Sequence, residues 1–82
     1  MDDSKLLERI VISPKVMVGK PAIRGTRLTV QHILGSLASG MIIDEILQEY
    51  AGLTREDVLA SILFAKESLE TTTFAPLNSE GV

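Results

Sequence analysis

The chain has 82 residues, of which 45% are hydrophobic and 4% aromatic, and its formal net charge is −3. A chain of this length forms one small domain, because only about 60–65% of its unfolded surface can be buried. The absence of cysteine excludes disulfides and thiolate metal sites. No apolar run approaches the ~20 residues of a membrane span or resembles a signal peptide, so we expect a cytoplasmic protein with no membrane role.

Charge is distributed unevenly along the chain. Residues 1–30 carry six of the eight Lys and Arg side chains and three acids, which gives this part a net charge of +3. Residues 31–82 carry two cations and eight acids, which gives −6. Because a polyanion is attracted by local rather than total charge, we expect any polyanionic partner to bind the N-terminal third.

The first predicted element is a strand within residues 9–18, RIVISPKVMV. This segment is rich in β-branched residues, and the period of two places Ile10 and Ile12 on one face. Pro14 is expected to end the strand, because proline has no N–H to donate to a sheet.

A second extended segment, PAIRGTRLT, follows at residues 21–29. In an unbroken strand Ile23 and Leu28 would point to opposite faces, because their separation of five is odd. A bulge or a turn with positive φ at Gly25 places both side chains on the core side, and it leaves Arg24 and Arg27 in water.

Three helices are predicted at about residues 30–38, 42–50 and 54–69. The apolar side chains of each recur at helical spacing, and they are Val30, Ile33, Leu34 and Leu37; Ile43, Ile46, Leu47 and Tyr50; and Val58, Leu59, Ile62, Leu63 and Leu69. Thr54 and Asp57 have the spacing of a capping box at the start of the third helix.

The predicted fold class is mainly α, with a short N-terminal β-hairpin over residues 9–29 followed by a three-helix bundle. The short connection containing Gly52 makes the last two helices a helix-turn-helix pattern. A single domain is expected over residues 1–70. Residues 71–82, TTTFAPLNSEGV, show no period and are expected to form a mobile tail.

Catalytic chemistry is not indicated. The stretch GKPAIRGT at residues 19–26 has Arg-Gly where a phosphate-binding loop requires Gly-Lys, so no nucleotide cofactor is expected. His32 has no evident partner to orient it as a base. The carboxylates of Asp44, Glu45 and Glu49 are interpreted as a solvated helix face rather than a metal site. We therefore expect no catalytic, cofactor-binding or metal-binding residues.

Binding residues are predicted in the basic stretch. The start of the third helix, residues 54–57, contains two acids that would repel phosphates, which argues against the usual docking of a helix-turn-helix. Contacts to DNA or to a partner protein are instead assigned to Lys20, Arg24, Thr26 and Arg27. The alternative is that Arg24 and Arg27 only form exposed ion pairs with acids of the helices.

Two motifs carry a resemblance to a known family: GKPAIRGTR at residues 19–27 and LTREDV at residues 53–58. Together with their surroundings, over about residues 8–69, they resemble the Domain of Unknown Function 433 family. The resemblance implies a homeodomain-like fold and a role similar to that of VapB antitoxins. Such antitoxins bind a PIN-like nuclease and repress their own operon as oligomers.

The chain departs from that pattern at three places, one of which is Ala51, where relatives often have Pro. Ile42 and Ile43 stand where many relatives have a capping Ser or Thr and a Pro. Residues 67–82 contain no cation to block an acidic nuclease site. Neutralisation of a nuclease would then depend on Arg24 or Arg27, or on docking of Phe74 and Leu77.

The resulting functional hypothesis is a non-enzymatic antitoxin-like regulator that binds a PIN-like nuclease and its own operator DNA. The alternative is a protein-interaction or dimerisation module without DNA binding. Self-association as a homodimer or a higher oligomer is expected, because the apolar content is high for three short helices.

Overall fold

A computed structural model describes residues 2–71 of the chain. Within this range four α-helices accompany a two-stranded antiparallel sheet, so the fold is mainly helical, as predicted. Phe74 and Leu77, whose docking is one alternative for nuclease binding, lie outside the described residues. None of the helices within this range is long and apolar enough to cross a membrane.

Helix α1, Asp3–Leu7, is not predicted by the sequence pattern. It begins at Asp2, whose Oδ1 accepts a hydrogen bond of 3.0 Å from the N–H of Ser4. The helix has five residues, too few for its apolar period to be recognised, and it buries Leu6. The described part of the chain thus has one helix before the sheet and three after it.

Two strands pair antiparallel, β1 at Ile10–Val11 and β2 at Ala22–Ile23. Ile10 lies opposite Ile23, and Val11 lies opposite Ala22. The strand predicted to run to Pro14 ends at Val11, and Ile12 is 61% exposed rather than on the core side with Ile10. The chain leaves the sheet at this point to form a tight turn at residues 13–16.

The long connection between the strands contains an unusual backbone segment, the short 3-10 turn Met17–Gly19. Met17, Val18 and Gly19 have φ values of 50°, 56° and 80°. Positive φ is accessible to glycine but disfavoured for a β-branched residue such as Val18. The predicted hairpin therefore contains two short strands joined by structured loops.

The remaining helices are α2 at Val30–Ala38, α3 at Ile43–Glu49 and α4 at Arg55–Glu70. These ranges differ by one residue or less from the predicted helix limits. Side chains from β2, the three helices and the loop before α4 form one buried cluster, which consists of Ile23, Ile33, Ile46, Leu53 and Val58.

Helix α4 is central, since α1, α2, α3 and β1 all pack against it. Its buried face differs from the predicted apolar stripe. Ala60 and Ser61 are fully buried, whereas Ile62 is 41% and Leu69 is 56% exposed. Helix α1, which the sequence does not predict, and strand β1 pack on α4 beside Phe64. The face of α4 that they cover is therefore not the face that carries Ile62 and Leu69.

Candidate binding surface on the hairpin

The basic stretch folds back on itself at a turn from Ile23 to Thr26. The N–H of Thr26 donates to the carbonyl of Ile23 at 3.0 Å, and Gly25 at the third position of the turn has a φ of 79°. Type II turns favour glycine at this position because φ is positive there. The turn buries Ile23, packs Leu28 against the core and leaves Arg24 and Arg27 exposed, which is the arrangement that the spacing predicts.

Thr26 is used by the turn itself. Its Oγ1 donates to the Ile23 carbonyl at 2.8 Å and accepts from the Leu28 N–H at 3.0 Å. Both hydrogen bonds close the loop in which the arginines lie. We therefore assign Thr26 a positioning role within the predicted site.

Arg24 lies against helix α1. Its N–H donates to the Arg9 carbonyl at 2.8 Å, and its Nε donates to the Glu8 carbonyl at 3.0 Å. A cation at the C-terminal end of a helix satisfies a carbonyl left free there. Arg24 also lines a groove that contains Lys5. Part of its hydrogen-bonding capacity is thus used to hold α1 in place.

Arg27 lies on the opposite side of the turn. It lines a groove of about 370 Å³ together with Lys15 and the loop residues Val16, Met17, Gly25 and Thr26. The predicted site is therefore divided between two grooves, because Arg24 and Arg27 flank the Gly25 turn. Arg27 faces a second cation there rather than an acid.

Lys15 is not among the residues that the sequence predicts for this site. It reaches the groove because residues 13–16 form a tight turn, in which the Val16 N–H donates to the Ser13 carbonyl at 2.9 Å. Proline at the second position of this turn, Pro14, is the sequence signal that could have indicated it. Lys20 directly follows the 3-10 turn that supplies Met17 to the same groove.

Besides Arg24, three cations of this region carry exposed side chains, and we call them the loop cations: Lys15, Lys20 and Arg27. Within residues 2–71 their side chains have no ion-pair or hydrogen-bond partner. Unpaired exposed cations retain their full capacity to bind an anion.

Comparison with known proteins places the chain in a family. A profile described as "Protein of unknown function (DUF433)" matches residues 10–65. The chain belongs to the DUF433 family. The match includes both sequence motifs and every loop cation.

One solved structure of the DUF433 family is similar throughout most of the chain. The crystal structure of a DUF433 member protein from Anabaena variabilis at 2.00 Å resolution aligns with a TM-score of 0.72 and 32% sequence identity. The alignment covers 83% of this chain and 67% of the other. The two proteins therefore share the fold over most of the present chain.

An uncharacterized protein of Sinorhizobium fredii, y4eO, is 30% identical over 67 residues. The match covers 80% of this chain and 30% of the relative. This DUF433 chain thus spans less than a third of the length of that curated relative.

The second DUF433 motif forms the start of α4. Asp57 accepts from the Thr54 N–H at 3.0 Å, and the Thr54 hydroxyl accepts from the Asp57 N–H at 3.2 Å, which completes the predicted capping box. The second carboxylate oxygen of Asp57 accepts from Arg9 Nη1 at 3.0 Å. Two polar side chains at the start of α4, those of Thr54 and Asp57, are therefore bonded within the chain.

His32 has a partner that the sequence does not indicate. Its Nε2 lies within hydrogen-bonding distance of the Tyr50 hydroxyl, and the two rings meet edge to face with centroids 5.4 Å apart. The pair joins α2 to the end of α3 on an exposed surface. His32 is thus oriented by a contact that links two helices.

The carboxylates of α3 are dispersed. Glu45 Oε1 accepts from the Ile42 N–H at 2.9 Å, which compensates for an isoleucine that cannot cap the helix with its side chain. Within residues 2–71 no group of His, Asp or Glu side chains is arranged to hold a metal ion.

Proposed function

We propose that this DUF433 protein is a non-enzymatic, antitoxin-like regulator whose loop cations bind an acidic partner. The observation that carries the proposal is that the three loop cations, Lys15, Lys20 and Arg27, are exposed and have no side-chain partner within residues 2–71. Residues 1–30, which include them, carry a net charge of +3, while the acids of the chain are concentrated after residue 43.

The partner's binding site is expected to be rich in negative oxygen atoms. Two such sites fit an antitoxin: the carboxylate cluster of a PIN-like nuclease and the phosphates of operator DNA. Arginine binds carboxylate and phosphate groups in a bidentate manner, and lysine adds a mobile point charge. The loop cations can therefore bind either carboxylate or phosphate groups.

Binding to DNA would not follow the usual helix-turn-helix geometry. That geometry requires the N-terminal turn of the second helix to face the major groove. In this chain Thr54 and Asp57 are used in the capping box, and Asp57 is bound to Arg9. DNA contacts through the loop cations would therefore be made mainly to phosphates and would carry little sequence information.

The contacts within the chain at the start of α4 also favour a second candidate function, a protein-interaction module without DNA affinity. At the start of α4, Thr54 and Asp57 are bonded within the chain and two acids are present, which leaves Arg55 as the cation of residues 54–57 that could contact DNA. The two candidates differ in one measurable property, which is binding to a DNA duplex at moderate ionic strength.

The proposal is tested by replacing the loop cations. The triple variant Lys15→Ala, Lys20→Ala, Arg27→Ala should keep the thermal stability of the parent, because none of these side chains has a partner within residues 2–71. Its binding to a duplex from upstream of its own gene, and to a PIN-like nuclease where an adjacent reading frame encodes one, should be strongly weakened. A control variant, Lys66→Ala, removes a cation from α4 and should bind as the parent does.

The outcomes separate the candidates. Failure of the triple variant to bind the nuclease, together with a parent that binds no DNA, supports the interaction module. A triple variant that binds both partners as tightly as the parent would show that the loop cations are surface charges without this function.

A further inference from the structure

The outward face of α4 carries an apolar stripe that the described part of the chain leaves open. Leu59, Ile62 and Leu69 lie away from the buried Asp57 and Ser61, and Ile62 and Leu69 are 41% and 56% exposed. These are residues that the helical period assigns to the core. Their exposure on the longest helix indicates a partner, since an apolar helix face in water is unfavourable.

The spacing of this face is that of a coiled-coil seam. Arg55, Leu59, Ile62, Lys66 and Leu69 follow one another at intervals of four, three, four and three residues. A repeat of 3.5 residues keeps a seam directed at one partner helix. The natural occupant of such a face is another helix of similar length.

We infer that the occupant is the α4 helix of a second copy of this chain, packed antiparallel about a twofold axis near Ile62. In this arrangement Arg55 of one copy lies opposite Leu69 and Glu70 of the other. Arg55 precedes Ile62 by seven residues, and Leu69 and Glu70 follow Ile62 by seven and eight residues. A twofold dimer uses the same surface on both copies, so each such contact occurs twice.

Charge along α4 favours the antiparallel direction. Arg55 at the start of the helix is exposed and has no ion-pair or hydrogen-bond partner within residues 2–71. Glu67 and Glu70 lie at the other end. Antiparallel packing brings Arg55 next to the second copy's Glu70, whereas parallel packing would bring identical charges together.

The apolar surface beside Arg55 has a shape that a leucine of the second copy can fill. A groove of about 450 Å³ opens there, and its lining is mostly apolar: Leu37, Met41, Ile42, Ile43, Asp44 and Arg55. Ile42 at its edge is 61% exposed. The exposed Leu69 and this open apolar groove thus lie at the two positions that the twofold axis relates.

Lys66 lies within the stripe, but its charge is paired with glutamates of the same helix. Its Nζ lies 3.3 Å from Glu70 Oε2 and 3.7 Å from Glu67 Oε2. The hydrogen bond and the charge of Glu70 raise the pKa of this ammonium. The flexible side chain can therefore lie at the edge of the interface with its charge paired in water.

The dimer does not depend on the proposed function and is compatible with it. Arg9 binds Asp57 on the side of α4 away from the stripe, so the hairpin is not part of the proposed interface. The loop cations of the two copies remain available to other partners.

The first test is the oligomeric state of the full chain. Sedimentation at micromolar concentration should give twice the chain mass of 8.9 kDa. Ile62→Glu should give a monomer with unchanged helix content, and the control Ile12→Glu, on an exposed residue outside the stripe, should remain dimeric. A monomeric parent, or a dimer that survives Ile62→Glu, overturns the inference.

A charge exchange tests the direction of packing. Arg55→Glu and Glu70→Arg each place two pairs of like charges in the dimer and should weaken self-association by at least about tenfold. Mixing the two variants pairs opposite charges at both ends and should restore dimers that contain one copy of each. If the mixture remains as monomeric as its components, Arg55 and Glu70 do not face each other and the antiparallel arrangement is wrong.

Discussion

Arg9 and Asp57 join the sheet region to the start of the longest helix through a contact of 3.0 Å between Nη1 and Oδ1. The Asp57 side chain is 9% exposed and that of Arg9 is 39% exposed. The other carboxylate oxygen of Asp57 caps α4 by accepting from the Thr54 N–H. One buried carboxylate therefore both starts a helix and binds the segment that precedes β1.

Replacing Asp57 should cost more than replacing Arg9. Asp57→Ala removes the cap and the ion pair together, and we expect the free energy of unfolding to fall by about 2 kcal/mol. Arg9→Ala leaves the cap in place, and since the arginine is partly solvated we expect a decrease of about 1 kcal/mol or less. Urea denaturation of both variants measures the difference. Equal decreases would show that the cap contributes little.

Gly25 and Gly35 should respond to alanine in opposite directions. An added Cβ meets no atom within 4 Å at either position, so backbone conformation decides the outcome. Gly25 has a φ of 79°, and Gly25→Ala should cost about 1–2 kcal/mol. Gly35 lies within α2, and Gly35→Ala should add about 0.5–1 kcal/mol. Thermal melts compare the two, and a stabilised Gly25→Ala variant would contradict the turn.

At Val18, in contrast to Gly25, we expect replacement by glycine to stabilise the fold. It has a φ of 56° and is 91% exposed, so Val18→Gly relieves a disfavoured backbone and removes almost no buried surface. We expect unfolding free energy to increase by about 0.5–1 kcal/mol. The control is Val16→Gly, at an extended position with a φ of −120°, which should destabilise. A destabilised Val18→Gly variant would indicate that the side chain has a contact in solution.

The sequence predicts the elements that are determined by interactions between residues close together along the chain. The period of three and four residues locates α2, α3 and α4, and the Thr54–Asp57 spacing indicates the capping box. The odd separation of Ile23 and Leu28 requires a special backbone at Gly25. Each of these inferences depends on residues that are close along the chain.

Features that depend on packing between distant segments could not be predicted in this way. Helix α1 is only five residues long, and the Arg9–Asp57 contact joins positions 48 residues apart. Because α1 and β1 pack on α4, the helix buries Ala60 and Ser61 and exposes Ile62. The period identifies the apolar side chains of α4 but not which of them a neighbouring segment covers.

The predicted binding residues are likewise distinguished by contacts that the sequence does not show. Thr26 and Arg24 form hydrogen bonds with the turn and with α1, whereas the Arg27 side chain forms none within residues 2–71. Arg24→Ala should therefore lower the melting temperature, and Arg27→Ala should leave it unchanged. Circular dichroism melts of the two single variants measure this difference, and equal melting temperatures would remove the distinction between the two arginines.

The central claim is that the loop cations bind an acidic partner, and the salt dependence of DNA binding tests it most directly. The slope of log K against log salt concentration should be negative for the parent, and its magnitude should decrease by about 0.9 for each phosphate that a variant no longer binds. Alanine replacement of Lys15, Lys20 and Arg27 should reduce the slope by up to about 2.7 if each binds one phosphate. A triple variant with the same affinity and the same slope as a DNA-binding parent would contradict the claim, and a parent that binds neither DNA nor an acidic protein would do so as well.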